Sequence, residues 1–112
     1  ALALVNGNII VAWASHEDIR PYHGWVMAYD AATLKQTGAF CVDPVGAMGG
    51  IWQSGRGPAV DETGAISFET GHGGWGGVQD FGTSVINLPV AGGHLGGGGP
   101  AGRRRPRPRG EE

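Results

Sequence analysis

Residues 65–88 read AISFETGHGGWGGVQDFGTSVINL: two strand-like runs, 65–70 and 83–88, separated by a glycine-rich loop carrying His72 and Trp75. Gly71-x-Gly73-x-x-Gly76 formally matches a dinucleotide-binding fingerprint and follows a strand. That chemistry needs a helix N-terminus facing the pyrophosphate and an acidic residue about 20 positions on. Here the loop leads into a second strand, and no acid lies in the 90s. The glycines are loop punctuation, and the question becomes what the two strands belong to.

Working outward, the same arrangement recurs upstream. The turn glycine before Ile66, Gly64, has a counterpart in Gly7 at an offset of 57, and Gly82 has one in Gly24 at an offset of 58. Upstream strands are expected near 2–5, 8–14, 25–30 and 36–42. Asn6-Gly7 makes a two-residue hairpin turn, and the runs are rich in β-branched and aromatic residues. Residues 30–38 read as a turn rather than a short helix capped by Asp30 and Gly38, because the apolar positions do not repeat at helical spacing. Downstream, strands are expected near 58–60, 65–70 and 83–88, with Asp61-Glu62-Thr63-Gly64 as a turn. Short strands with frequent turns predict an all-β fold. A four-strand unit repeated at this period predicts a partial β-propeller: two four-stranded antiparallel blades, the second lacking its last strand.

Composition sets the boundary. Glycine is 23 of 112 residues, about three times the usual share. Residues 91–112 contain much of it, with five arginines and no apolar periodicity. The chain therefore divides into 1–90, the propeller part, and 91–112, a disordered Gly/Pro/Arg-rich tail unable to bury a core. Gly, Pro, Arg and Ala all have G/C-rich codons, which suggests an out-of-frame end. Residues 1–90 carry three basic against eight acidic residues. No basic surface for specific nucleic-acid binding is expected, and the arginine run reads as a solvated tail. The single cysteine, Cys41, excludes an intrachain disulfide and reads as a small, buried strand residue. No apolar run is long enough for a helical membrane span. The sequence begins at Ala1 inside an apolar alternation, without Met, so the absence of a signal peptide carries no weight.

Residues 24–40, GWVMAYDAATLKQTGAF, resemble the repeat of quinoprotein-like β-propellers, with Ala28, Asp30 and Thr33 matching. Leu34 stands where that repeat has glycine, and Phe40 approximates its docking tryptophan. Residues 50–71, GIWQSGRGPAVDETGAISFETG, are similar to the start of another blade. The resemblance covers about residues 1–88. It implies a propeller scaffold from an exported bacterial protein, periplasmic or extracellular, whose partners are the remaining blades. It also implies an alternative, a fragment of a dehydrogenase dependent on pyrroloquinoline quinone (PQQ) and calcium, oxidising an alcohol or sugar. In those enzymes a T-G-N-x-x-x-W segment supplies an asparagine to calcium. Thr70-Gly71-His72-Gly73-Gly74-Trp75 resembles that outline, with His72 in the asparagine's place and one residue fewer before the tryptophan. Calcium prefers oxygen ligands, and the family's adjacent-cysteine disulfide has no counterpart. No cofactor is expected in this chain, and no residue is assigned to catalysis or to a metal.

The candidate ligand-facing residues are His72 and Trp75. His16, Glu17, Asp18 and His23 share a loop but lack metal-ligand spacing and read as solvated. Asp80 reads as a turn aspartate. Trp13, Trp25 and Trp52 are expected to fill the space between sheets.

Overall fold

The Asn6-Gly7 turn forms as its residue types predict, with φ of 48° and 76°, the paired left-handed values of a type I′ hairpin. In this computed structural model, which describes residues 1–53, 55–74, 80–95 and the backbone of 104–106, ten strands are present. They are β1 (Leu2–Val5), β2 (Asn8–Trp13), β3 (Trp25–Asp30), β4 (Gln36–Cys41), β5 (Ala59–Val60), β6 (Ile66–Glu69), β7 (Ser84–Leu88), β8 (Val90–Ala91), β9 (His94–Leu95) and β10 (Arg104–Pro106). The described residues contain no helix, and so none long and apolar enough to cross a membrane.

The first sheet is an antiparallel meander in the order β1-β2-β3-β4. The second has the order β10-β7-β6-β5, and β8 and β9 form a separate hairpin. All pairings are antiparallel, and neither large sheet closes on itself. The boundaries fall within about two residues of those expected from the sequence, because each strand is bracketed by its own turn chemistry.

The turn after β3 shows how. Asp30 Oδ1 accepts hydrogen bonds from the backbone N–H of Ala32 and of Thr33, each at 2.9 Å. These bonds make residues 31–33 a side-chain-capped turn, not the helix that was the competing reading. Asp61 does the same before β6, accepting from Thr63 N at 2.8 Å and Ala65 N at 3.1 Å. Hydrogen bonds to Thr33 and Ala32 lower the pKa of Asp30, and hydrogen bonds to Thr63 lead the lowering at Asp61. Gly64 closes the second turn at φ 82°, whereas exposed Leu34 sits at φ 60° near the end of the first. A side chain in that conformation costs roughly 1–2 kcal/mol. Leu34→Gly is therefore expected to raise stability by about 1 kcal/mol, net of the extra backbone entropy. Urea denaturation would show this as a higher midpoint at unchanged slope.

One face of each large sheet builds the common core. Val5, Ile10, Val26 and Ala28 of the first sheet face Ile66, Phe68, Ile86 and Leu88 of the second. Val42, Ile51 and Phe81 close one end of this core, and Val90 and Leu95 close the other. Phe40 stacks on Phe81, ring centroids 6.4 Å apart and planes at 9°.

Two parts of the expected tail behave otherwise. Residues 90–95 form the β8–β9 hairpin, turning through Gly92 and Gly93 at φ 59° and 82°, with Val90 and Leu95 buried. Gly93 lies so close to Thr37 and Asn8 that a Cβ would fall 2.4 Å from Thr37 Oγ1. The position thought to lack a strand, beside β7, is taken by β10, with Arg105 paired to Val85.

The outer faces differ sharply. By strand alternation, the first sheet turns Leu2, Leu4, Ile9, Val11, Trp13, Trp25, Met27, Tyr29, Ala39 and Cys41 away from the core. The second turns out Ser67, Glu69, Val85 and Asn87, and Asn87 Nδ2 donates to Ser67 Oγ at 2.8 Å. Sheets with one solvated face alternate apolar and polar residues. The second sheet does so, and the first does not.

Candidate functional site

In a meander, alternate connections emerge at the same end. The short turns at residues 6–7, 31–35 and 61–65 lie at one end, and the long connections 14–24, 42–58 and 70–83 gather at the other. Backbone hydrogen bonds fasten these long segments together: Met48 N to Tyr22 O at 2.9 Å, Ile51 N to Trp13 O at 3.1 Å, and Gly71 N to Gly50 O at 2.8 Å. Asp80 adds a side-chain clasp, accepting from Val45 N and Gly46 N at 3.0 Å each.

A cleft of about 260 Å³ opens among these segments, lined by Asp18, Tyr22, Trp52, Gly71 and His72. Ile51 is buried and anchors its segment, so the next side chain, Trp52, is turned outward and is 46% exposed. Tyr22 meets it edge-on, ring centroids 6.0 Å apart at 88°, a favourable quadrupole arrangement. Gly71 lies close beneath the indole: a Cβ there would fall 3.0 Å from Trp52 Cδ1, a tight contact that the exposed indole would have to shift to relieve. On the other side of Trp52 a second cleft is lined by Gln53, Glu69, Thr70 and Gly71. Gln53 Oε1 is buried there without a hydrogen-bond partner among the described residues. Such an acceptor suits a donor brought by a ligand.

Tyr22 donates its hydroxyl hydrogen to Asp18 Oδ1. Burial, and next the hydrogen bond to Asp18, push its pKa up to about 12. Tyr22 is thus a fixed donor at neutral pH, unsuited to act as a base. A phenol with a raised folded pKa contributes stability that is full below its unfolded value, about 10, and is lost as pH rises through the folded value. The melting temperature is therefore expected to fall between pH 10 and about pH 12. Thermal melts of Tyr22→Phe over that range should show a smaller fall than wild type.

The expected ligand-facing pair was His72 and Trp75. His72 is exposed and lines the cleft; Trp75 lies outside the described residues. Of the loop group His16, Glu17, Asp18 and His23, only Asp18 reaches the cleft. His23 turns the other way, its Nδ1 lying 2.8 Å from the carbonyl oxygen of Asp43. Trp52 does not fill the space between the sheets, and Trp13 and Trp25 pair across the outer face of the first sheet, 49% and 36% exposed. Thr70 is a structural pin: its Oγ1 donates to Phe81 O at 2.7 Å and accepts from Ser84 N at 2.9 Å.

Sequence reasoning missed Tyr22 and Trp52 as a pair, since 30 positions separate them and their contact depends on how residues 48–51 cross the loops. Comparisons with models of known families, with curated proteins and with solved structures each found no match.

Proposed function

We propose that this chain is a scaffold segment of a stacked-sheet, propeller-type protein, without catalysis of its own, that presents the Tyr22–Trp52–His72 cleft for binding. The observation that carries this reading is the apolar outer face of the first sheet, where Leu2, Leu4, Trp13 and Trp25 are exposed. Pairing Gly7 with Gly64 makes Ile9 and Val11 the counterparts of Ile66 and Phe68. Ile66 and Phe68 lie in the core between the sheets, whereas Ile9 and Val11 alternate with core-facing Ile10 and point away from it. For β2 and β6, equivalent faces thus point in one direction, as in a stack of blades. Pairing Gly24 with Gly82 instead sets core-facing Ala28 against core-facing Ile86, so the glycine repeat does not by itself fix the sense of stacking. The first sheet nevertheless offers a further sheet an apolar surface. Leu2 and Leu4 on that surface are 64% and 71% exposed. The stack of Phe40 on Phe81 agrees with a docking role for the aromatic at position 40. The far face of the second sheet, with Ser67, Glu69 and Asn87, offers no such surface, so the docking runs through the first sheet. An exported, periplasmic or extracellular parent remains part of this proposal, on the resemblance alone.

The cleft favours a small ring-bearing ligand. Its volume of about 260 Å³ falls below the roughly 300–1,000 Å³ of sites for drug-sized molecules, and Trp52 supplies a face for stacking. The second reading, a PQQ- and calcium-dependent dehydrogenase fragment, rests on the Thr70-Gly71-His72 outline. The imidazole of His72 is a poor calcium ligand, and Thr70 Oγ1 is committed to the backbone. Titration with PQQ and Ca²⁺, followed by tryptophan fluorescence and dye-linked alcohol oxidation, separates the two. The scaffold reading expects neither saturable quenching nor turnover; both together would replace it with the dehydrogenase.

A further inference from the structure

A second cluster of reactive side chains lies where β3 begins and β4 ends. The antiparallel register pairs Trp25 with Cys41, so residues just before Trp25 and just after Cys41 meet beyond the end of the ladder. A ring nitrogen of His23, Sγ of Cys41 and a carboxylate oxygen of Asp43 all lie within 4.8 Å of one another. His23 Nδ1 is 3.7 Å from Asp43 Oδ1.

Asp43 gives the cluster its point. Its side chain is fully buried, and its direction is fixed by two backbone donors, Gly24 N on Oδ1 at 3.2 Å and Gly49 N on Oδ2 at 2.7 Å. Both donors are neutral. Among the described residues the only cationic group within ion-pair reach is His23, which is charged only when protonated. Buried carboxylates are normally paired with a cation or bound to a metal. Here the compensating charge is missing unless something supplies it. His23 is 37% exposed and Cys41 is half-buried, so the cluster is open on one side.

We propose that His23, Cys41 and Asp43 form a three-ligand site for a divalent transition metal of the zinc type, with water in the fourth position. Imidazole nitrogen, thiolate sulfur and carboxylate oxygen together suit zinc, whereas calcium and magnesium take oxygen donors. Bonds of about 2.0–2.3 Å in a tetrahedral site place donors roughly 3.3–3.7 Å apart. The His23–Asp43 edge has that length from Nδ1, but Nδ1 donates to the Asp43 carbonyl oxygen at 2.8 Å, so ligation needs the ring to turn off that carbonyl and present an unprotonated nitrogen. The edges to Cys41 Sγ are at most 4.8 Å and close by up to about 1.5 Å, through side-chain rotation at His23 and Cys41. On binding, the Cys41 thiol proton passes to solvent and Sγ ligates as thiolate, while His23 ligates through an unprotonated nitrogen and Asp43 as carboxylate. The site is separate from the Trp52 cleft and does not rest on the propeller reading.

The test is a Co²⁺ titration of the full chain, tag-free, reduced and stripped of metal. Binding of one equivalent is expected, with a thiolate-to-cobalt charge-transfer band, intense visible bands of tetrahedral cobalt, and displacement by Zn²⁺. Cys41→Ser should abolish the charge-transfer band, and His23→Gln should weaken binding roughly 10–100-fold or more. His72→Gln, in the cleft, should leave both unchanged. Both ligand positions are partly exposed, and circular dichroism matching wild type would confirm that the variants fold. Absence of the charge-transfer band in folded wild type, or cobalt affinity unchanged by His23→Gln, would overturn the site.

Discussion

Phe68→Ala is expected to lower stability by about 3–5 kcal/mol, the range for deleting a fully buried phenylalanine. Phe68 is 2% exposed and belongs to the cluster that joins the two sheets. Neighbouring strands cannot collapse into the gap, because hydrogen-bonded ladders hold them on either side. A domain of this size commands about 5–15 kcal/mol in total, and a chain with one apolar sheet face open to water belongs at the low end. The variant should therefore be largely unfolded under conditions where wild type is folded. Phe68→Leu keeps most of the volume and should cost less than about 1.5 kcal/mol. Urea denaturation followed by circular dichroism would measure both. Equal midpoints for the alanine variant and wild type would mean that the two sheets do not share a core.

Gly24→Ala should be as damaging, for a different reason. A Cβ on Gly24 would lie 2.1 Å from Gly49 O and 2.8 Å from Gly49 C, both backbone atoms that cannot rotate away. Relieving the overlap means parting the 43–50 segment from the start of β3. That parting breaks Gly24 N to Asp43 Oδ1 and leaves a buried carboxylate short of a donor. The expected loss is about 3 kcal/mol or more, the upper end for overpacking a core. Gly55→Ala is the contrast. Gly55 has φ 73°, and a methyl group added there would meet nothing within 4 Å, so only left-handed strain of roughly 1–2 kcal/mol applies. If the two variants lost equal stability, close backbone approach at Gly24 would not be what the fold depends on.

What the sequence revealed and what it hid follow from the range of the interactions involved. The first seven strands were legible because each is bounded by local chemistry: Asn6-Gly7, the Asp30 and Asp61 carboxylates that cap their own turns, and alternation within the runs. The β8–β9 hairpin carried a signal of the same kind, Val90-Ala91-Gly-Gly-His94-Leu95, a Gly-Gly turn between two short runs. The surrounding glycine and arginine drew it into the tail instead. The candidate site was legible only in part. His72 stood out by its loop, but Trp52 looked like one more packing tryptophan, and its outward turn depends on Ile51 being buried one position earlier. The His23–Cys41–Asp43 cluster was invisible as a motif, since its spacing is set by the β3–β4 register rather than by sequence separation. Even the two-sided apolar character of the first sheet, Leu2 to Cys41, needed the register to show which residues share a face.

The outer face of the first sheet is apolar and partly exposed, and its proposed role is to be covered by another sheet. Sedimentation velocity on the full chain across a wide concentration range, beside Leu4→Glu and Leu2→Glu/Leu4→Glu variants, tests it directly. Wild type should self-associate as concentration rises, while the variants stay monomeric with unchanged circular dichroism. A wild-type chain that remains a sharp monomer throughout and melts cooperatively would contradict the claim.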